Sequence, residues 1–411
     1  MNTAEVQAMY SEYVFGNYNR APLAMVRGLG SKVWDAEGRC YLDLLPGLGV
    51  DGLGHCHPRV VAAIQKQAGN LVHLHNNYMW EQQALLAKAL VQKLSGMGAA
   101  KAFFCNSGTE ASEAAIKLAR LYGKKNLTAD GRARTKIISV ENGFHGRTYG
   151  ALSATGQPNL QKGCEPLLPG FTYVPLNDIG ALEKAFDDET VAFMVEPVQG
   201  EGGIYISSQA YLNAARALCD KHKALLLYDE VQCGMGRTGD YFAYQTLKAP
   251  APDVIWLAKA LGGGFPIGAM LAKPEAAQYL VPGTHGSTFG GNPLACAAGL
   301  AVIEAIDAEN LIAHVRKVST HLAAGLVVLR GEHTGKIKEI RQLGLMVGID
   351  LNFPAKPVYA RCMEKGLLIN FTHDTTLRLL PAMNVAVADL DQGLRTISEA
   401  LAEMSGSTAP A

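Results

Sequence analysis

Net charge is missing from this chain: 37 basic residues balance 37 acidic ones over 411 residues. No global electrostatic footprint therefore points to nucleic acid or to an anionic membrane. Long apolar runs are missing too, since none approaches the roughly 20 residues that a membrane helix needs. The segment from Met1 to Arg20 carries Glu5 and Glu12 and has neither a basic start nor an apolar centre, so no signal peptide is expected. The eight cysteines are scattered without a C-x-x-C pair. Their spacing fits reduced thiols in a cytosolic protein better than a disulfide or zinc framework. His55-Cys56-His57 and His73-Leu74-His75 lack a third and fourth ligand, so no metal is expected. No G-x-x-x-x-G-K-[ST] occurs, which excludes a nucleotide P-loop.

What remains is a rhythm of short apolar runs. Residues 20–50 read as a strand meander, with Leu23–Arg27, Lys32–Trp34 and Cys40–Leu42 between turns. Helical spacing follows over Val60–Ala68 and Gln82–Leu94. Strand candidates then recur at 102–105, 136–140, 191–195, 225–228, 254–257 and 267–271, most of them separated by helical stretches. This alternation predicts an α/β fold, a mostly parallel sheet with helices on both faces. A long helix begins near residue 293. Strands are expected over 337–351, 367–370 and 377–380, a helix over 358–365, and a last helix after Asp389, making a smaller α+β region. The expected division is 51–300 as the large domain and 1–50 with 301–404 as the small one. The tail 405–411 is expected to be disordered.

Two charged residues close two of the apolar runs. Asp229 ends Ala224–Tyr228, and Lys259 follows Val254–Ala258. Carboxyl ends of parallel strands face the crevice where α/β proteins bind ligands. An acid and an amine there suggest a pyridoxal phosphate site, the lysine holding the cofactor as a Schiff base and the acid facing the pyridinium nitrogen. A plain salt bridge, or a lysine opening a helix, is the alternative. Further strand ends carry more. Ser107-Gly108-Thr109 precedes a strong helix, so it reads as a phosphate cradle or as a simple cap with Glu110. Phe144-His145-Gly146-Arg147 offers an aromatic face and a guanidinium for a carboxylate. His145 is either a base or a loop anchor. Glu201 lies in a glycine-rich turn and can meet a substrate group or an arginine. Val231 and Gln232 follow Asp229 and suit a ring face and a ring hydroxyl. Thr288, among glycines before a helix, suits a second phosphate contact.

Taken together, Ser107-Gly-Thr-Glu-Ala, Phe144-His-Gly-Arg-Thr, Asp229-Glu-Val-Gln, Gly236-Arg-Thr-Gly, Lys259-Ala-Leu-Gly-Gly-Gly and Gly286-Ser-Thr-Phe-Gly-Gly-Asn-Pro resemble the class III pyridoxal phosphate aminotransferases. The similarity runs from about Tyr18 to Leu401. Within that class the wording is most similar to the acetylornithine aminotransferases, at Tyr18-Asn-Arg-Ala-Pro and Leu377-Arg-Leu-Leu-Pro among other segments. The resemblance implies the type I fold with pyridoxal 5'-phosphate as cofactor. It implies that Ser107, Gly108 and Thr109 hold the phosphate and that Phe144 stacks on the ring opposite Val231. It implies a homodimer with shared sites, Thr288 reaching the neighbouring subunit's phosphate. Arg147 and Arg378 become candidates for substrate carboxylates, Glu201 a gate beside one of them, and Tyr18 a substrate contact. The expected partners are a small-molecule amino donor and 2-oxoglutarate. The expected donor is N2-acetylornithine; the alternative is a sibling acting on succinylornithine, ornithine, 4-aminobutyrate or an acyl-lysine.

Overall fold

The computed structural model describes residues 1–404; the expected disordered tail lies outside them. Seventeen strands occur among these residues. The meander forms as β1 Met25–Leu29, β2 Lys32–Asp35 and β3 Cys40–Asp43. The alternating region supplies β4 Lys101–Cys105, β5 Lys136–Val140, β6 Phe171–Val174 and β7 Thr190–Val195. The short pair β8 Val198–Gln199 and β9 Tyr205–Ile206 follows, then β10 Leu225–Asp229, β11 Val254–Leu257 and β12 Gly268–Ala272. The last stretch gives β13 Ile337–Leu343, β14 Met346–Leu351, β15 Leu367–Leu368, β16 Asn370–Thr372 and β17 Thr376–Leu379.

Seven strands form the central sheet in the order β4-β12-β11-β10-β7-β5-β6. Six run in one direction, and β12 runs against both its neighbours. The middle strands β7, β10 and β11 are buried at every residue. That burial on both faces is why they read as unbroken aliphatic runs rather than as alternating ones. The helix Gly108–Gly123 packs on this sheet through Leu118 and through Ala111, Ala114, Ala115 and Ala119, whose small side chains let helix and strands approach closely.

Two smaller sheets differ in detail from the sequence expectation. The run 367–370 is not one strand. Leu367–Leu368 pairs in parallel with β3, extending the N-terminal meander, whereas Asn370–Thr372 pairs with β17 in a separate sheet, β13-β14-β17-β16. So short a run, Leu367-Leu-Ile-Asn370, cannot show in sequence that its two halves serve different neighbours. The last helix begins at Val387, ahead of Asp389, which sits in its first turn. There its carboxylate faces the positive end of the helix dipole. The helix from Pro293 stops at Ala308, because Asn310 takes a left-handed φ of 51°, and a second helix runs Leu311–Glu332. Among the described residues no helix is long and apolar enough to cross a membrane.

Candidate active site

The carboxyl ends of β4, β5, β7, β10 and β11 meet at one edge of the central sheet. Because β12 is antiparallel, its leading residues Phe265–Ile267 arrive at that same edge. Together these segments enclose a pocket of about 420 Å³. Ser107, Gly108, Thr109, Phe144, Arg147, Glu201, Asp229, Val231, Gln232 and Lys259 all line it. Ten residues chosen at strand ends in the sequence thus converge in space, which is what parallel strands with ligand-facing carboxyl ends produce.

Asp229 is 4% exposed and fully engaged. Its Oδ1 accepts the Val231 N–H at 3.0 Å, and its Oδ2 lies 2.7 Å from Nδ1 of His145. His145 is fastened in turn: its N–H donates to Thr155 Oγ1, its carbonyl accepts from Ser112, and its ring tilts against Trp256. Of the two readings of His145 the structure favours the anchor, because its Nδ1 is committed to the acid. Lys259 stands at the end of the neighbouring strand, partly buried, with a left-handed φ of 45°. A non-glycine residue held there is strained, and such strain gathers at functional positions. Burial pushes the Lys259 amine below its ordinary range and Arg378 adds to this, while Glu201, Asp229 and Glu196 pull the other way.

At the helix start, the cap reading of Ser107 is realised. Its Oγ accepts the Glu110 N–H at 3.3 Å and donates to Glu110 Oε2 at 3.1 Å. The first N–H groups of the helix, those of Gly108 and Thr109, have no acceptor within it and face the pocket region. A Cβ on Gly108 would meet Val231 Cγ1 at 2.8 Å, so glycine is required for this approach. Thr109 Oγ1 accepts the N–H groups of Arg147 and Thr148 at 3.2 Å each, tying the two loops together. Arg147 is exposed, with its guanidinium 5.7 Å from the centre of the Phe144 ring.

On the other side, Arg378 is 1% exposed and comes from β17. Its Nη1 donates to Glu201 Oε1 at 2.7 Å and to the Gly200 carbonyl at 2.7 Å. Its Nε reaches Asn370 Oδ1 at 3.1 Å. Gln232 Nε2 also contacts Glu201 Oε1, at 3.3 Å, and leaves its own buried Oε1 without a partner. Burial alone would raise the Glu201 carboxyl, but Arg378, Lys259 and these hydrogen bonds hold it below the usual range.

Three expected residues are not part of the pocket lining: Arg378 reaches it through Glu201, and two more lie elsewhere. Thr288 is exposed and Tyr18 is 70% exposed, and neither lines the pocket of this chain. Conversely, Glu196 lines the pocket, although the sequence reading gives it no role. Its position one residue beyond β7 was the available signal, matching Asp229 at the end of β10. His55 and His57 pair with Asp43 at 2.8 Å and Glu309 at 3.2 Å. No group of three or more His, Cys, Asp or Glu is placed to hold a metal among the described residues.

Comparison with known proteins points to one family. The family model described as Aminotransferase class-III matches residues 14–401. The acetylornithine aminotransferase of Methanocaldococcus jannaschii is 50% identical over 94% of this chain and 95% of its own length. That of Caldanaerobacter subterraneus subsp. tengcongensis is 47% identical over 96% and 98%. Among solved structures, an ornithine aminotransferase of Toxoplasma gondii, described with partial occupancy of PLP at its active site, superposes with a TM-score of 0.90. It shares 32% identity and covers 97% of this chain and 94% of that one.

Proposed function

From the premise that the chain belongs to the class-III aminotransferases, we propose that it moves the δ-amino group of N2-acetylornithine to 2-oxoglutarate. The products are N-acetylglutamate 5-semialdehyde and glutamate, a step of arginine biosynthesis. Relatives at 47–50% identity over nearly the whole chain carry the acetylornithine name, which favours the acetylated donor over ornithine.

The cofactor of the class is pyridoxal 5'-phosphate, and the residues present fit it. Gln232 Oε1 is a buried acceptor lacking a partner, the glycine at 108 lets a helix start close on Val231, and the pocket holds about 420 Å³. Asp229 would face the ring nitrogen, Gln232 the ring hydroxyl, Val231 and Phe144 the ring faces, and Ser107–Thr109 the phosphate. When bound, the ring supplies an electron sink for bonds at the substrate carbon.

The remaining work falls to the chain. Burial favours the neutral Lys259 amine, so Nζ can act as nucleophile and afterwards carry a proton at the reacting carbon. His145 and the Val231 N–H hold Asp229 in one orientation. Arg378 is a ready seat for a substrate carboxylate, with Glu201 occupying it in the absence of one. Arg147 stands at the exposed side of the pocket for a second carboxylate.

We further read the active unit as a cytoplasmic homodimer with shared sites. Thr288 and Phe289 are exposed away from their own pocket, and Phe15, Tyr18 and Met79 expose large apolar surface at 89, 70 and 97%. A subunit interface would cover side chains of this size. Eight free cysteines suit a reducing compartment. The division into 51–300 and 1–50 with 301–404 is supported by the β3–β15 pairing, which joins the chain's two ends.

The observation that carries the proposal is the placement of Asp229 and Lys259 at the ends of paired strands in one pocket. The test is Lys259→Ala together with a substrate panel. The variant should lose both the visible absorbance of the holoenzyme and turnover. Glutamate should form fastest from 2-oxoglutarate with N2-acetylornithine. Full activity in the variant, or preference for another donor, would refute the corresponding half.

A further inference from the structure

Glu196 is 6% exposed, follows β7, and sits in the sheet between the strand that ends in Asp229 and the strand that leads to Phe144. Its two oxygens divide their work. Oε2 accepts the Phe144 N–H at 2.9 Å, and Oε1 accepts the Gly200 N–H at 3.1 Å. Gly200 is itself a junction. Its carbonyl takes Arg378 Nη1 at 2.7 Å, and a Cβ there would lie 1.9 Å from Gln232 Oε1. One carboxylate therefore spans the loop that carries the ring-facing aromatic and the loop that carries the arginine–glutamate pair.

This arrangement is costly for mere loop closure. Burial and the neighbouring Asp229 push the Glu196 carboxyl up to about 7, against the pull of His145 and the two N–H groups. Loop N–H groups can be satisfied by neutral acceptors without a second acid beside Asp229.

We infer that Glu196 is a positioning residue that couples the Phe144 loop to the Arg378–Glu201 pair, so that one side chain sets both the ring contact and the carboxylate seat. The inference rests on the reading of Arg378 as that seat. In Glu196→Gln one loop N–H faces an amide donor, so one of the two ties is lost. In Glu196→Asp the shortened carboxylate cannot span both loops.

The test uses the holoenzyme and glutarate, a dicarboxylate that cannot react. Visible circular dichroism of the bound cofactor reports ring orientation, and spectral titration gives the glutarate dissociation constant. Apoenzyme melting checks the fold, and Glu196→Asp carries the test if Glu196→Gln does not fold. Both variants should change the dichroism and weaken glutarate binding about tenfold, the size expected for partial loss of a charge-assisted hydrogen bond. Glu201→Gln should tighten glutarate binding, and its effect should be non-additive with Glu196→Gln. Folded variants with wild-type dichroism and affinity, or an additive cycle, would overturn the inference alone. A wild-type holoenzyme indifferent to glutarate would overturn the carboxylate reading of Arg378, and the inference with it.

Discussion

His145 Nδ1 lies 2.7 Å from Asp229 Oδ2, and the two side chains are 1% and 4% exposed. A buried carboxylate with one N–H from Val231 and one imidazole is held in a single orientation at the pocket wall. In His145→Ala the Oδ2 keeps its burial and loses its partner. The expected result is a fall in kcat of about 10- to 100-fold with cofactor still bound, the range for disturbing rather than removing a preorganised charge. Asp229→Asn removes the charge and should cost about 10³-fold or more. Steady-state rates on cofactor-saturated enzyme decide, and an unchanged kcat in His145→Ala would remove the anchoring role.

Arg378 and Glu201 make opposite demands on a ligand. The carboxylate occupies Nη1 of an arginine that is otherwise bound to the Gly200 carbonyl and Asn370. Substrate carboxylates must displace it. Glu201→Gln should lower the KM for 2-oxoglutarate about tenfold, because the competitor loses its charge. Glu201→Ala should share that change but lower the melting temperature, since the buried guanidinium also loses the side-chain acceptor that glutamine keeps. Parallel KM and melting measurements separate the two effects.

Glu230 offers a pH test independent of catalysis. It is 1% exposed, and its oxygens accept the N–H groups of Ala243 and Tyr244 at 2.6 and 2.9 Å. Burial pushes its carboxyl up to about 8, the N–H groups pull it down, and Asp229 adds a further push. The folded pKa lies above the unfolded one. Below about 4.5 both states hold the proton. Between 4.5 and about 8 only the folded state does, so this group's contribution to stability falls as pH rises. The limit is about 1.4 kcal/mol per pH unit. Glu230→Gln loses a tie at every pH but lacks that slope. The melting-temperature gap between wild-type and variant apoenzymes should therefore narrow from pH 5 to 8. A constant gap would place the Glu230 pKa outside this window.

Strand ends were legible because each combines an aliphatic run with a charged or glycine-rich stop. That pattern alone places Asp229, Lys259 and the Ser107–Thr109 turn correctly in one pocket. Glu196 has the same local signature, yet its meaning lies in two contacts, with Phe144 and Gly200, that only the order β10-β7-β5 creates. The helix Thr3–Tyr13 has no buried residue, so it lacks an apolar stripe to read. Its one signal is the capping box of Asn2 and Glu5. The strand Phe171–Val174 is short, lies at the sheet edge and is only half-buried, which leaves it without the aliphatic density of its neighbours. Thr288 and Tyr18 have no place in the pocket lined by these strand ends, so their expected roles rest on the resemblance alone.

Gly108 and Val231 provide the sharpest steric test. A methyl at 108 would stand 2.8 Å from Val231 Cγ1 and 3.0 Å from Cγ2, distances at which something must move. The helix start is fixed by the Ser107 cap and by a row of buried alanines, so the displacement should fall on the Val231 side. Gly108→Ala should bind pyridoxal 5'-phosphate about tenfold more weakly, within the 1–3 kcal/mol typical of overpacking. Val231→Ala removes both offending methyls, so Gly108→Ala/Val231→Ala should recover part of the loss, a non-additivity that contacting residues show. Fluorescence titration of the apoenzymes with cofactor measures all four corners. If the double variant is as weak as the sum of the single ones, the glycine is needed for its backbone alone and not for its closeness to Val231.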